Sequence, residues 1–129
     1  MKKFLLICLL VLSAQAETYN LAGASAQKAI TLKGDDSVNL SGSSNQIDLD
    51  GSGEGLSVMG SSNKVNVRAK LESVDVMGSS NQITIDGAVE TVNLMGSSNK
   101  IVLIKRKGRA LPSVNRVGTN NTVTEQNSP

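Results

Sequence analysis

The chain has 129 residues, one domain's worth of length, with 13 Lys and Arg against 11 Asp and Glu. It contains no His and no Trp, and its single Cys and single Phe, Cys8 and Phe4, lie within the first sixteen residues. Beyond them there is no thiol nucleophile, no disulfide, no His-based acid–base pair and no usual zinc, haem or iron–sulfur ligand set, so no catalytic, cofactor-binding or metal-ligating residue is assigned.

The first predicted element is a secretory signal. Lys2 and Lys3 precede an apolar run from Phe4 to Leu12, which ends in the small-x-small pattern Ala14-Gln15-Ala16. Residues 1–16 are therefore read as a signal peptide. Cleavage is expected after Ala16, leaving Glu17 as the first residue of an exported chain, periplasmic or extracellular. The apolar run is shorter than the roughly 20 residues that a bilayer requires, so no transmembrane segment is expected in the mature chain. Cys8 sits inside the apolar run rather than after it, which argues against lipidation there. Without Lys2 and Lys3 the balance is 11 basic to 11 acidic residues. A neutral chain lacks the basic footprint that nucleic acid demands.

Residues 17–124 carry a repeat. Gly42-Ser43-Ser44-Asn45, Gly60-Ser61-Ser62-Asn63, Gly78-Ser79-Ser80-Asn81 and Gly96-Ser97-Ser98-Asn99 follow one another at intervals of 18. A variant, Gly118-Thr119-Asn120-Asn121, comes after 22 residues, and a degenerate copy, Gly23-Ala24-Ser25-Ala26, lies 19 upstream of the first. Self-similarity at this period signals a stacked solenoid. Aliphatic residues alternate on both sides of each motif, as in Val74-x-Val76 before Gly78 and Ile83-x-Ile85 after Asn81. Period two with β-branched residues predicts strands, and no stretch beyond residue 16 keeps a helical period. The expected fold is an all-β, single-domain β-solenoid (β-helix) of about six 18-residue coils, each of two or three short strands. Gly and Asn are expected to supply the positive φ angles of its turns.

Stacking places equivalent residues in columns. Asn45, Asn63, Asn81, Asn99 and Asn121 are expected to form an amide ladder, beside Gly42, Gly60, Gly78, Gly96 and Gly118 at the same corner. Met59, Met77 and Met95 form a column flanked by Ser41 and Val117. Glu54, Glu72 and Glu90 form a like-charge column. Lys64 and Lys100 alternate with Gln46 and Gln82. Handedness stays open: a sixfold spacing through Val65, Leu71, Met77 and Ile83 fits a left-handed helix, whereas the paired columns and the Asn corner favour a right-handed one. Ile30-Thr31-Leu32-Lys33-Gly34 echoes Ile83-Thr84-Ile85-Asp86-Gly87 and suggests an imperfect first coil. The extra residues before the last motif fall at Lys105-Arg106-Lys107-Gly108-Arg109-Ala110-Leu111-Pro112, read as a solvated loop, with a local anionic docking patch as the functional alternative. Residues 125–129 are read as a polar tail, expected to fray.

The recurrent Gly-Ser-Ser-Asn-x-Ile/Val-x-Ile/Val, closed by Val114-Asn115-Arg116-Val117-Gly118-Thr119-Asn120-Asn121-Thr122-Val123-Thr124, resembles the DUF3060 family over residues 30–125. These are exported bacterial proteins of unknown function, whose repeats read Gly-Ser-Asn-Asn-Thr-Val-Thr-Val. The resemblance implies export and a β-solenoid, and it brings no catalytic residues. This chain departs from that repeat in having Met before Gly in three units and Ser-Ser where Ser-Asn is common. Gly118-x-x-Asn121-x-Val123-x-x-Gln126 also resembles the curlin repeat, but the paired glutamines of curlin are missing from the inner units.

Asp48, Asp50 and Glu54 are the nearest approach to a metal site, since a calcium loop gathers oxygens around a Gly turn. The competing reading is two outward acids on either side of an inward Leu49, and the choice stays open. The expected function is a non-enzymatic structural or binding module of the cell envelope, with no cofactor and no assigned partner. The alternative is a self-assembling, curlin-like fibre subunit. Irregular first and last coils favour a monomer over end-to-end self-association.

Overall fold

The computed structural model describes residues 16–127. The signal-peptide segment therefore lies outside the described residues, except for Ala16.

Six coils of two strands each follow the repeat. They are β1 (Thr18–Ala24) and β2 (Gln27–Leu32), β3 (Ser37–Ser43) and β4 (Gln46–Gly51), β5 (Gly55–Ser61) and β6 (Lys64–Val67). Next come β7 (Leu71–Ser79) and β8 (Gln82–Ile85), β9 (Val89–Ser97) and β10 (Lys100–Lys105), and finally β11 (Ser113–Thr119) and β12 (Thr122–Asn127). The odd-numbered strands form one six-stranded sheet and the even-numbered strands another, each in chain order. Every neighbouring pair is parallel. The chain thus builds an all-β solenoid of two facing sheets, and among the described residues it contains no helix.

The core lies between the sheets. Val38 and Leu40 on β3 are 0% and 1% exposed, and Ile47 and Leu49 on β4 are both 0%. The same four positions are filled by buried aliphatics in each coil through Leu103. Such side chains each contribute roughly 1.5–3 kcal/mol on burial. They alternate with outward residues because successive side chains of a strand point to opposite faces.

Two details differ from the sequence expectation. The echo of Ile83-Thr84-Ile85 at Ile30-Thr31-Leu32 is displaced by two residues, because Ile30 pairs with Leu49, in the column of Ile85. The degenerate corner Gly23-Ala24-Ser25-Ala26 sets the register instead, with Gly23 opposite Gly42. A two-residue slip keeps each side chain on its own face, so apolar pattern alone does not detect it. The second difference concerns the polar tail: β12 pairs with β10 as far as Asn127, so residues 125–127 continue the ladder rather than fray.

The outer coils break the aliphatic columns. Lys28 stands opposite Ile47, Arg116 opposite Leu94 and Glu125 opposite Leu103. All three are exposed, since each end coil is covered on one side only.

Candidate functional site

Two corners and two outer faces are the surfaces on which function can reside. At the first corner the chain turns from an odd to an even strand through Gly-Ser-Ser-Asn. Asn45, Asn63, Asn81 and Asn99 are buried there, at 2% exposure or less. Asn81 shows the pattern. Its Nδ2 donates to Asn99 Oδ1 at 3.0 Å and to the Gly60 carbonyl at 3.1 Å, and its N–H donates to the same Asn99 Oδ1 at 3.1 Å. Its own Oδ1 accepts the N–H and Nδ2 of Asn63, both at 3.1 Å. The ladder begins at Ala26, whose N–H donates to Asn45 Oδ1, and ends at Asn121, whose Oδ1 accepts from Asn99. Buried amides so fully bonded hold the coils together and are not available to a partner.

The positive φ angles of this corner are distributed differently from expectation. Gly42, Gly60, Gly78, Gly96 and Gly118 have φ between 115° and 131°, but the second left-handed residue is not Asn in the inner coils. It is Ser44, Ser62, Ser80 or Ser98, at φ 56° or 57°, and Asn120 in the last coil. The ladder Asn needs its side chain turned inward, so the preceding residue takes the strained conformation. The glycines are required by space as well: a Cβ on Gly78 would lie 1.9 Å from the Gly60 carbonyl oxygen.

The outer face of the odd-numbered sheet carries three further columns, which run along the solenoid in register. One is Ser37, Gly55, Ser73, Thr91 and Ser113; the next is Asn39, Ser57, Asp75, Asn93 and Asn115; the third is Ser41, Met59, Met77, Met95 and Val117. Asn39 Nδ2 donates to Asn20 Oδ1 at 3.0 Å, Asn93 Nδ2 to Asp75 Oδ1 at 2.7 Å and Asn115 Nδ2 to Asn93 Oδ1 at 2.9 Å. This second amide ladder went unread in the sequence, although its signal was present as the middle residue of each Val-x-Leu pair. The Met column is half-exposed, with Met59 at 43% and Met95 at 41%.

The even-numbered sheet is charged on its outer face. Arg68 donates from Nε and Nη2 to the two carboxylate oxygens of Asp50, at 2.8 and 3.1 Å. That guanidinium holds the Asp50 carboxyl below its ordinary range. Asp48 accepts from Asn66 Nδ2 at 2.8 Å, and Glu54 stands exposed at the opposite corner. Asp48 and Asp50 are thus engaged by separate partners, and Glu54 stands apart from both. Among the described residues no group of three acids could hold a metal ion.

The opposite corner is irregular. Its last turn is the basic loop, which is not simply solvated. Arg106 donates to both oxygens of Asp86 at 2.6 and 2.7 Å, and Arg109 Nη2 reaches Asp86 Oδ1 at 2.9 Å and the Ile104 carbonyl at 2.7 Å. Arg106 first and Arg109 second hold the Asp86 carboxyl far below the usual carboxylate range. Two of the loop's cations are thus engaged within the chain, which weakens an anionic docking patch. Beside this corner runs a groove of about 600 Å³ with Leu71, Val89 and Leu111 among its walls.

The stacked coils, the Asn corner and the lengthened last turn are the features that carried the resemblance. Residues 76–129 match the DUF3060 family model. Its description is a protein of unknown function. The match covers the second half of β7 through β12, a shorter span than residues 30–125. Within that span the left-handed residues of the corner are Ser80, Ser98 and Asn120. No curated protein and no solved structure matches the chain. No helix of the described residues is long and apolar enough to cross a membrane.

Proposed function

We propose that this protein is an exported, non-enzymatic β-solenoid, a structural or binding module of the cell envelope that makes contact through the outer face of its odd-numbered sheet. The segregation of charge carries this reading. Asp75 is the sole ionisable side chain in the three outward columns of that sheet, whereas Asp48, Asp50, Lys64, Arg68, Asp86 and Lys100 crowd the outer face of the other. A flat face of hydroxyls, amides and thioethers meets a partner without desolvating charge, as the centre of an interface requires. The signal sequence supports export, and the lack of His and of any Cys beyond residue 16 supports a role without catalysis.

Sedimentation with envelope fractions tests the reading. The protein is expected to co-sediment, Met77→Glu with Asn93→Glu to weaken binding about tenfold, and Gln82→Glu on the other face to leave it unchanged. No binding, or equal binding by all three forms, overturns it.

Assembly into fibres is the second reading. It is favoured by open edges: β1 and β2 at one end, and β11 and β12 at the other, each pair on one side only. Lys28, Arg116 and Glu125 oppose it, since inward-pointing charge on an edge strand blocks a further strand. Light scattering after size exclusion, repeated over days with thioflavin, separates the two. A lasting monomer supports the module, and growing fibres make assembly the function.

A further inference from the structure

Asp36 is the one ionisable side chain buried among the described residues, at 4% exposure. It precedes β3 at the irregular corner of the first coil. Its Oδ2 accepts the Lys33 N–H at 2.9 Å, and its own N–H donates to the Lys33 carbonyl at 3.2 Å, which closes the turn through Gly34 and Asp35. Its Oδ1 accepts the backbone N–H of Glu17 at 2.8 Å. None of the ion pairs formed among the described residues includes Asp36. Both oxygens of this buried carboxylate are bonded by backbone N–H groups, and a full positive charge on either donor would strengthen the contact further.

The nitrogen that faces Asp36 belongs to the residue that the signal pattern places first in the mature chain. Two independent observations converge on it: a cleavage motif ending at Ala16, and a buried acid aimed at the atom that cleavage would free. We infer that removal of the leader creates an α-ammonium on Glu17 that pairs with Asp36 and locks the first coil onto the solenoid. The inference rests on the export reading above. A leader-removing protease breaks the Ala16–Glu17 C–N bond with one water. The water's hydroxyl goes to the Ala16 carbonyl, which leaves as a carboxylate, and the new amine ends protonated at neutral pH. Before cleavage the Asp36–Glu17 contact is a hydrogen bond to a neutral amide. Afterwards it is a charge-assisted bond between full opposite charges.

Glu17 is already held where the pair forms. Its carbonyl accepts the Ser37 N–H at 2.9 Å, and Thr18 pairs with Ser37. The ammonium therefore needs no rearrangement to find its partner. The first coil has the most to gain, because it is the coil with Lys28 in a core column and no Asn at the ladder position.

N-terminal sequencing of the exported protein comes first, and it separates the two readings. Glu17 as first residue supports the inference. A different first residue overturns it, and an uncleaved chain overturns export itself. The mature protein is then compared with a form that retains Ala16, each with Asp36 and with Asp36→Asn, by urea unfolding. The form beginning at Glu17 is expected to have an unfolding constant about tenfold smaller, and Asp36→Asn is expected to abolish the difference. Equal stability of the two forms, or a difference that survives Asp36→Asn, overturns the lock. Should Asp36→Asn fail to fold, amide exchange across Thr18–Ala24 decides between the two Asp36 forms. Slower exchange in the form beginning at Glu17 supports the pair, and equal exchange overturns it.

Discussion

The two corners of the solenoid solve the same problem by different means. At the Asn corner a side chain replaces a missing partner: each amide bonds the coil on either side, and the motif must repeat residue for residue. At the opposite corner the backbone bonds itself. Gly53 donates to the Lys70 carbonyl at 2.8 Å, Lys70 to Gly51 at 3.0 Å and Leu71 to Ala88 at 2.9 Å. Its sequence accordingly varies among the equivalent triplets Asp50-Gly51-Ser52, Arg68-Ala69-Lys70 and Asp86-Gly87-Ala88, with only the middle position kept small. A corner built on side-chain chemistry is written into the sequence, whereas one built on main-chain bonds leaves little trace there.

The largest expected effect is at the Asn corner. Asn81→Leu leaves the N–H and Nδ2 of Asn63 without their acceptor and removes the Nδ2 donor to Gly60 and Asn99. Unpaired buried groups of this kind cost about 4 kcal/mol together, read as a lowered urea midpoint. A loss below about 1 kcal/mol would mean that the ladder is ornamental. Gly78→Ala follows, at about 3 kcal/mol, because its Cβ would meet the Gly60 carbonyl at 1.9 Å and the backbone must move. Gly23→Ala has nothing within 4 Å and should cost about 1 kcal/mol, from its φ of 132° alone.

At the opposite corner the effects should be smaller. Asp86→Asn is expected to cost up to about 1 kcal/mol, given its partial exposure. The sign of the pH dependence follows from its depressed carboxyl. The stabilisation is complete above about pH 5 and disappears as pH falls through the folded value, so thermal melts of the two forms should converge only in strong acid. The smallest effect is a gain. Ser80→Asn at φ 57° should stabilise by about 0.5 kcal/mol, since Asn tolerates the left-handed region better than Ser and the side chain is exposed.

Much of the architecture was legible for one reason: parallel stacking turns sequence spacing directly into spatial columns. The aliphatic pairs, the Asn corner and the Met stripe all follow from an interval of 18. The left-handed serines were not legible, because Gly-Ser-Ser-Asn contains three plausible candidates and only the inward demand on Asn assigns the strain to Ser. Nor was Asp36. A single acid before a strand resembles any turn residue until the chain brings Glu17 back against it, and that contact occurs once rather than periodically. The charges at Lys28, Arg116 and Glu125 needed the end registers, where the interval is 19 or 22 instead of 18.

The constant offset between β5, β7 and β9 has a consequence for how such a molecule changes size. From Gly60 to Met77 the core aliphatic positions and the Gly and Asn of the corner have the same type of neighbour above and below as their counterparts one interval on, while outward positions such as Lys64 and Gln82 alternate. A duplicated unit would therefore enter an environment that already exists and lengthen the rod by about 4.8 Å. Reach becomes an integer, set by copy number, while the two end coils keep their own sequences whatever lies between them.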